Sequence, residues 1–378
     1  MRTIPLILVS TITYGQTDLF EKQLSIDRTH EEAARIIRSR DGNNIIVGSL
    51  NDGRKDIYLV KVNDKGDTLW TRKYGADNVD DYATDIVAIS NGYAVCGSTR
   101  TYSKKGKDDA FLLLIDENGK WTGYPKVFGS EFDDEAKRII QTKDGNLVMV
   151  IEKRPTQWYA ETFIIKVNLK GDRIWSGQLP DIHPTFGSEL IEDPDGDVIF
   201  GGTATNQFEK DRDILLVRFN GKDGQIKWHK QITGQDNYHE SLLCLLKNKA
   251  GNYLIAGLKV SPAKRYLILY TTDKEGNIIG DKIYNIDDLG ETYSTSAPRQ
   301  MIEAKDGNLI IVGNKSGHGF IFKLTQSGES IFFRKFGGQF SSIVELSTGE
   351  LILTGEIIDP THFWNLYLVR TNDQGKIE

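Results

Sequence analysis

The sequence predicts an all-β chain: a seven-bladed β-propeller of four-stranded blades, its last blade completed by the N-terminal strand. Three observations predict it. First, two apolar runs joined by a DG-like turn recur seven times: RIIRSRDGNNIIVGS (35–49), DIVAISNGYAVCGST (85–99), RIIQTKDGNLVMV (138–150), ELIEDPDGDVIFGGT (189–203), LLCLLKNKAGNYLIAG (242–257), QMIEAKDGNLIIVG (300–313) and SIVELSTGELILTG (342–355). Second, a third apolar run in each copy ends at a glycine: Gly66, Gly119, Gly171, Gly224, Gly276, Gly328 and Gly375, about 52 residues apart. Third, the last copy stops without a fourth run, whereas DLFEKQLSID (18–27) has the pattern of a fourth strand with no copy before it.

Each copy reads as four short strands, the content of a propeller blade. Strand A is exemplified by ATDIVAI (83–89), strand B by YAVCGST (93–99), strand C by AFLLLIDE (110–117) and strand D by TLWTRKYG (68–75). A to B and C to D are joined by tight turns with Asp or Asn near Gly, the chemistry of short hairpins. B to C and D to A are longer and variable. With antiparallel neighbours, the tight turns share one face of the disc and the long loops the other. Pairing of 18–27 with the last copy closes the ring and removes exposed strand edges.

Composition agrees. The chain of 378 residues has 37 Gly, 15 Tyr and 16 Phe, residue types suited to turns and to pleated, half-buried surfaces. A formal charge of -6 and a pI near 5.7 argue against nucleic-acid binding, which needs a basic surface. The opening MRTIPLILVSTITYGQ carries Arg2, a short apolar run, and Thr13 and Gly15 before Gln16. That pattern predicts a signal peptide over 1–15 and a mature single propeller domain over 16–378; a first strand is the alternative. The expectation is export to the periplasm, cell surface or medium. No later stretch reaches membrane-spanning length. Cys96 and Cys244 lie in apolar runs of different copies and read as two buried free thiols.

At NDKGDTLW (63–70) the repeat resembles that of the quinoprotein class of propellers, which places a Trp four residues after a turn Gly. Trp70 follows Gly66, Trp175 follows Gly171 and Trp228 follows Gly224 at that spacing. Trp121 stands two residues after Gly119, and Gly280 and Phe332 take the place in two other copies. The pattern also resembles secreted repeat propellers of Bacteroidota. What this resemblance carries over is the architecture and not the cofactor.

Candidate chemistry is sparse. NDKGD (63–67), DKEGN (273–277) and DPDGD (193–197) look like calcium loops but lack the further oxygen ligands such a loop needs, and each falls in register with a turn. A column before strand A holds Glu31, Asp81, Asp134 and Glu240. Read functionally, it is a carboxylate ring at the channel mouth that could hold calcium. Read structurally, each acid accepts backbone N–H bonds in its own loop. No nucleophile elbow, HExxH or phosphate loop occurs. What breaks the repeat is then the better functional candidate. The long loops bring Arg154, Trp158, Tyr159, His183, Arg212, Tyr238, His239, His362 and Trp364, residue types suited to a glycan or protein surface. Ordinary loop packing is the alternative. The expectation is a monomeric, exported binding propeller that recognises a glycan or protein through its long-loop face and needs no cofactor. The alternative is an exported polysaccharide hydrolase or lyase with carboxylates at the channel mouth.

Overall fold

The computed structural model describes residues 7–13, 18–25, 29–76, 79–103, 106–156, 159–179, 183–205, 212–232, 238–261, 264–285, 297–360 and 362–377. Among them every regular element is a strand, and the strands form seven antiparallel sheets. Blade one runs His30–Arg38, Asn44–Asn51, Lys55–Val62 and Thr68–Tyr74 as strands A to D. Blades two to six span 81–128, 133–178, 183–232, 239–285 and 297–336 in the same order.

Blade seven shows the expected closure. Its strands A to C (Gln339–Glu345, Leu351–Ile358, Trp364–Thr371) are followed in space by Phe20–Ser25, which pairs antiparallel with strand C from Phe20↔Arg370 to Leu24↔Leu366. Ile7–Thr13 pairs in turn with Phe20–Ser25 as a fifth, outermost strand. Without residues 1–15, blade seven would have four strands like its neighbours.

The burial pattern follows strand position. Strand B of blade two is buried throughout, whereas strand D of blade one exposes Leu69 and only partly buries Trp70. Inner strands lie between two neighbouring sheets, so both of their faces are apolar. The core is correspondingly divided into slabs between blades. Phe20, Leu24, Leu366 and Leu368 of blade seven pack on Ile36, Ile46, Tyr58 and Val60 of blade one. Equivalent slabs fill the other six interfaces. Each fully buried Leu, Ile or Phe contributes about 1.5–3 kcal/mol, so the slab joining the chain ends stabilises the ring as much as any other.

Most of the tight turns are three-residue hairpin loops closed by a glycine in the left-handed region. In NDKGD, Asn63 N–H donates to Asp67 O at 3.0 Å, Gly66 N–H to Asn63 O at 3.0 Å, and Gly66 has φ of 74°. Asn63 Oδ1 accepts from the N–H groups of Lys65 and Asp67, both at 2.9 Å. Asp116, Asn168, Asp273 and Asn372 do the same in their turns. Cys96 and Cys244 are buried free thiols, as expected.

Candidate functional site at the channel mouth

The A strands of successive blades touch one another and ring the axis. In six of them the pairing with strand B skips one residue: Ala34, Thr84, Lys137, Leu243, Arg299 and Ser341. Blade four is irregular on both sides of Phe186. Such a bulge re-aims a side chain that a regular strand would place elsewhere. Ala34, Thr84, Lys137, Arg299 and Ser341 all line one cavity of about 590 Å³. Its other walls include Glu32, Lys55, Tyr82, Glu135, Arg154 and Glu356. These residues stand where strands A and C begin and strand B ends, so the cavity opens on the long-loop face.

Below the bulges a belt of polar side chains crosses five of the seven blade junctions. Asp85 Oδ2 accepts from Ile139 N–H at 3.0 Å, and Asp85 Oδ1 faces Arg35 Nε at 3.6 Å. Arg138 donates to Glu189 at 2.9 Å. Gln300 Oε1 accepts from Ile343 N–H at 2.8 Å and from Ser342 Oγ at 2.6 Å. Ser342 Oγ accepts in turn from Ile36 N–H at 3.0 Å, carrying the belt across the closure. Each bond satisfies a backbone or side-chain group that would otherwise be buried unpaired.

The cavity wall is charged, and most charges are paired within it. Lys55 donates to Glu32 at 2.6 Å. Lys137 pairs with Glu135 at 2.7 Å, and Arg154 Nη2 bridges Glu135 at 3.0 Å and Glu152 at 3.2 Å. Arg299 makes no hydrogen bond or ion pair with them or with any other described residue; Glu356 is its electrostatic neighbour in the cavity. Burial, then the charge of Glu32, pushes the Glu356 carboxyl up to about 7, while Arg299 opposes the shift.

Of the sequence-predicted residues, Arg154 lies in this cavity. Tyr238, His239 and Arg212 sit at the junction of blades four and five, where Arg212 N–H donates to His239 Nδ1 at 3.3 Å and Lys259 Nζ lies 4.9 Å from the Tyr238 ring centre. Trp364 and His362 belong to blade seven, where Trp364 N–H donates to His30 Nδ1 at 3.2 Å and His362 is exposed with φ of 70°. Tyr159 begins strand C of blade three and His183 strand A of blade four. Trp158 lies outside the described residues. The described members of the set are therefore spread over several blades.

The carboxylate column is also dispersed. Glu31 accepts from Thr29 Oγ1, and Asp81 from Thr99 and from the N–H groups of Arg100 and Thr101 at 3.0 and 3.1 Å. Asp134 accepts from Ser130 N–H at 2.6 Å, and Glu240 from Tyr270 Oη at 2.8 Å. Each acid is buried and bonded locally. Among the described residues no group of three or more His, Cys, Asp or Glu is placed to hold a metal. The calcium-like DPDGD is a cation clamp of another kind. Asp193, Asp195 and Asp197 bind the Arg218 guanidinium at 2.9, 2.6 and 2.8 Å.

No protein-family model and no curated protein matches the chain. Among solved structures it is similar to an ulvan lyase from a polysaccharide-lyase family, with a TM-score of 0.57, 9% identity, and coverage of 92% of this chain and 96% of that one. It is similar to an α-L-arabinanase of Penicillium chrysogenum complexed with arabinobiose, with a TM-score of 0.52, 9% identity and 99% of each chain covered. It also matches a protein of unknown function from Dyadobacter fermentans, with a TM-score of 0.52, 11% identity, and coverage of 97% of this chain and 98% of that one. At such identities the likeness shows one thing, the propeller fold.

Proposed function

We propose that the protein is an exported propeller that binds a glycan at the mouth of its axial channel. The observation that carries this reading is the cavity of about 590 Å³, walled by Glu, Lys, Arg, Ser, Thr and Tyr side chains from five blades. Its volume is that of a small-molecule site. Its dense donors and acceptors suit a hydroxyl-rich ligand better than an apolar one. Two solved structures of similar fold are a polysaccharide lyase and an arabinanase complexed with arabinobiose, which agrees with a saccharide here. Export rests on the N-terminal pattern, and the quinoprotein-like or Bacteroidota repeat type rests on the Gly–Trp spacing. The test is retention of the purified chain on a glycan array, repeated with Arg154→Ala. Retention that weakens in the variant supports the reading; no retention on any glycan overturns it.

A second reading, a polysaccharide hydrolase or lyase, is favoured by Glu356 and Glu32 in one wall. A carboxyl held near neutrality suits general acid–base work. Turnover of a bound oligosaccharide that disappears in Glu356→Gln would support it, and binding without turnover would remove it. Bound calcium belongs to this second reading alone, and metal content of the purified protein tests it.

A further inference from the structure

We infer that Arg299 is an anion-recognition residue and that the ligand of the axial cavity is an acidic saccharide, bearing a carboxylate or sulfate. The inference rests on the glycan-binding reading and narrows it. The bulge is a backbone device repeated around the ring, but the residue it delivers differs from blade to blade. Ala34 brings no polar group. Thr84 Oγ1 donates to Ala136 O at 2.6 Å. Lys137 is neutralised by Glu135 at 2.7 Å. Arg299 is exposed in the cavity wall, and its guanidinium has no hydrogen bond or ion pair among the described residues.

The neighbouring cations make the difference plain. Lys55 and Arg154 bind wall carboxylates at 2.6 and 3.0 Å, and Arg138 binds Glu189 at 2.9 Å. A ligand anion would have to displace one of those partners. Arg299 has no hydrogen-bonded or ion-paired partner among the described residues for an anion to displace. A guanidinium presents a planar fork of donors that matches a carboxylate or sulfate edge-on with two parallel bonds. Ser341, on the neighbouring blade and lining the same cavity, offers a hydroxyl to neutral sugar groups.

The experiment measures binding of uronate-bearing, sulfate-bearing and neutral oligosaccharides of matched length by calorimetry, for the full chain and for Arg299→Gln and Arg299→Lys. Arg299 is exposed and unpaired among the described residues, so both variants should melt with the parent. The expected result is a preference for one acidic series. Arg299→Gln should erase it, with a loss on the order of tenfold or more for the acidic ligand and little change for the neutral one. Arg299→Lys should retain part of it. The preferred series distinguishes carboxylate from sulfate. Equal binding of acidic and neutral sugars overturns the inference and leaves glycan binding standing, as does an acidic preference that survives Arg299→Gln. Binding of none overturns both.

Discussion

Trp175 of blade three lies against Gly224, the C-to-D turn glycine of blade four, so closely that a Cβ on Gly224 would stand 2.5 Å from the ring. Its Nε1–H also donates to Gly221 O at 3.0 Å. The same seat recurs around the ring, with Trp70 on Gly119, Trp228 on Gly276, Phe332 on Gly375 and, across the closure, Phe20 on Gly66. An aromatic ring on the turn glycine therefore joins five of the seven neighbouring blade pairs, while Lys126 lies against Gly171 and Lys282 against Gly328. Gly224 has φ of 74°, so alanine there would meet both backbone strain and the indole. Gly307 has φ of 81°, but a Cβ added there would have open space for 4 Å around it. Urea unfolding should show Gly307→Ala costing about 1 kcal/mol and Gly224→Ala roughly 3 kcal/mol. Equal losses would count against the interlocking role.

Phe20–Ser25, and not Ile7–Thr13, pairs with strand C of blade seven. Phe20 and Leu24 are 2% and 3% exposed within the slab between blades seven and one. Removing residues 1–15 should leave the thermal midpoint unchanged. Removing residues 1–27 should lower it sharply, and Phe20→Ala alone should cost about 3–5 kcal/mol. A chain lacking 1–27 that melts like the parent would refute closure by this strand.

Lys166 is 5% exposed, and its ammonium binds Asp144 at 2.7 Å and Gly221 O at 3.1 Å. Lys61 with Asp41 and Lys323 with Asp306 repeat the pair at 2.7 Å. Partial burial pushes the Asp144 carboxyl up, but bonds from Lys166 and Thr142 outweigh it and hold it well below the usual range. A depressed carboxyl contributes stability above its unfolded pKa of 3.8 and loses it as pH falls through the folded value. Asp144→Asn should therefore destabilise at neutral pH by roughly 1–2 kcal/mol, because Lys166 is left buried without its anion. The gap from wild type should close progressively in acid below about pH 4. A pH-independent gap would point to a packing effect instead.

Glu356 behaves oppositely. Its folded pKa of about 7 stands above the ordinary 4.5, so the folded chain holds a proton that the unfolded chain releases. Stability should fall as pH rises across that window and stay level above it. Glu356→Gln should be more stable than wild type at about pH 8, by on the order of 2 kcal/mol, with the advantage gone below about pH 4. Thermal midpoints across pH check this, and an unchanged midpoint at high pH would contradict it.

The blade count, strand order, hairpin turns and closing strand were all legible in the chain, because each follows from a local pattern repeated at fixed spacing. The site was less so. Residues 83 to 85 read Ala-Thr-Asp and residues 298 to 300 Pro-Arg-Gln, which under strict alternation gives no reason to single out Thr84 or Arg299. The bulge skips one residue in the pairing and brings those side chains into the cavity wall. No local pattern marked these positions, since the residues after them (Arg35, Asp85, Arg138, Cys244, Gln300 and Ser342) vary as much from copy to copy. Conversely, the acids of DPDGD suggested a cation and found one in Arg218, from a strand more than twenty residues on.

The sequence by itself determined the repeating unit, its strands and turns, and the way the ends meet, since hydrophobic period and turn chemistry act over a few residues. Only the tertiary structure decided which charges neutralise one another and which are left facing the axis. Arg154 meets Glu135 because the A–B hairpin brings together residues about twenty apart, and Glu32 meets Lys55 because strands A and C of one blade begin on the same face. Arg299 and Glu356 share the cavity with them because the closed ring brings blades six and seven round to blade one. Pairing of charges is a matter of a few ångströms in space, and no spacing along the chain encodes it.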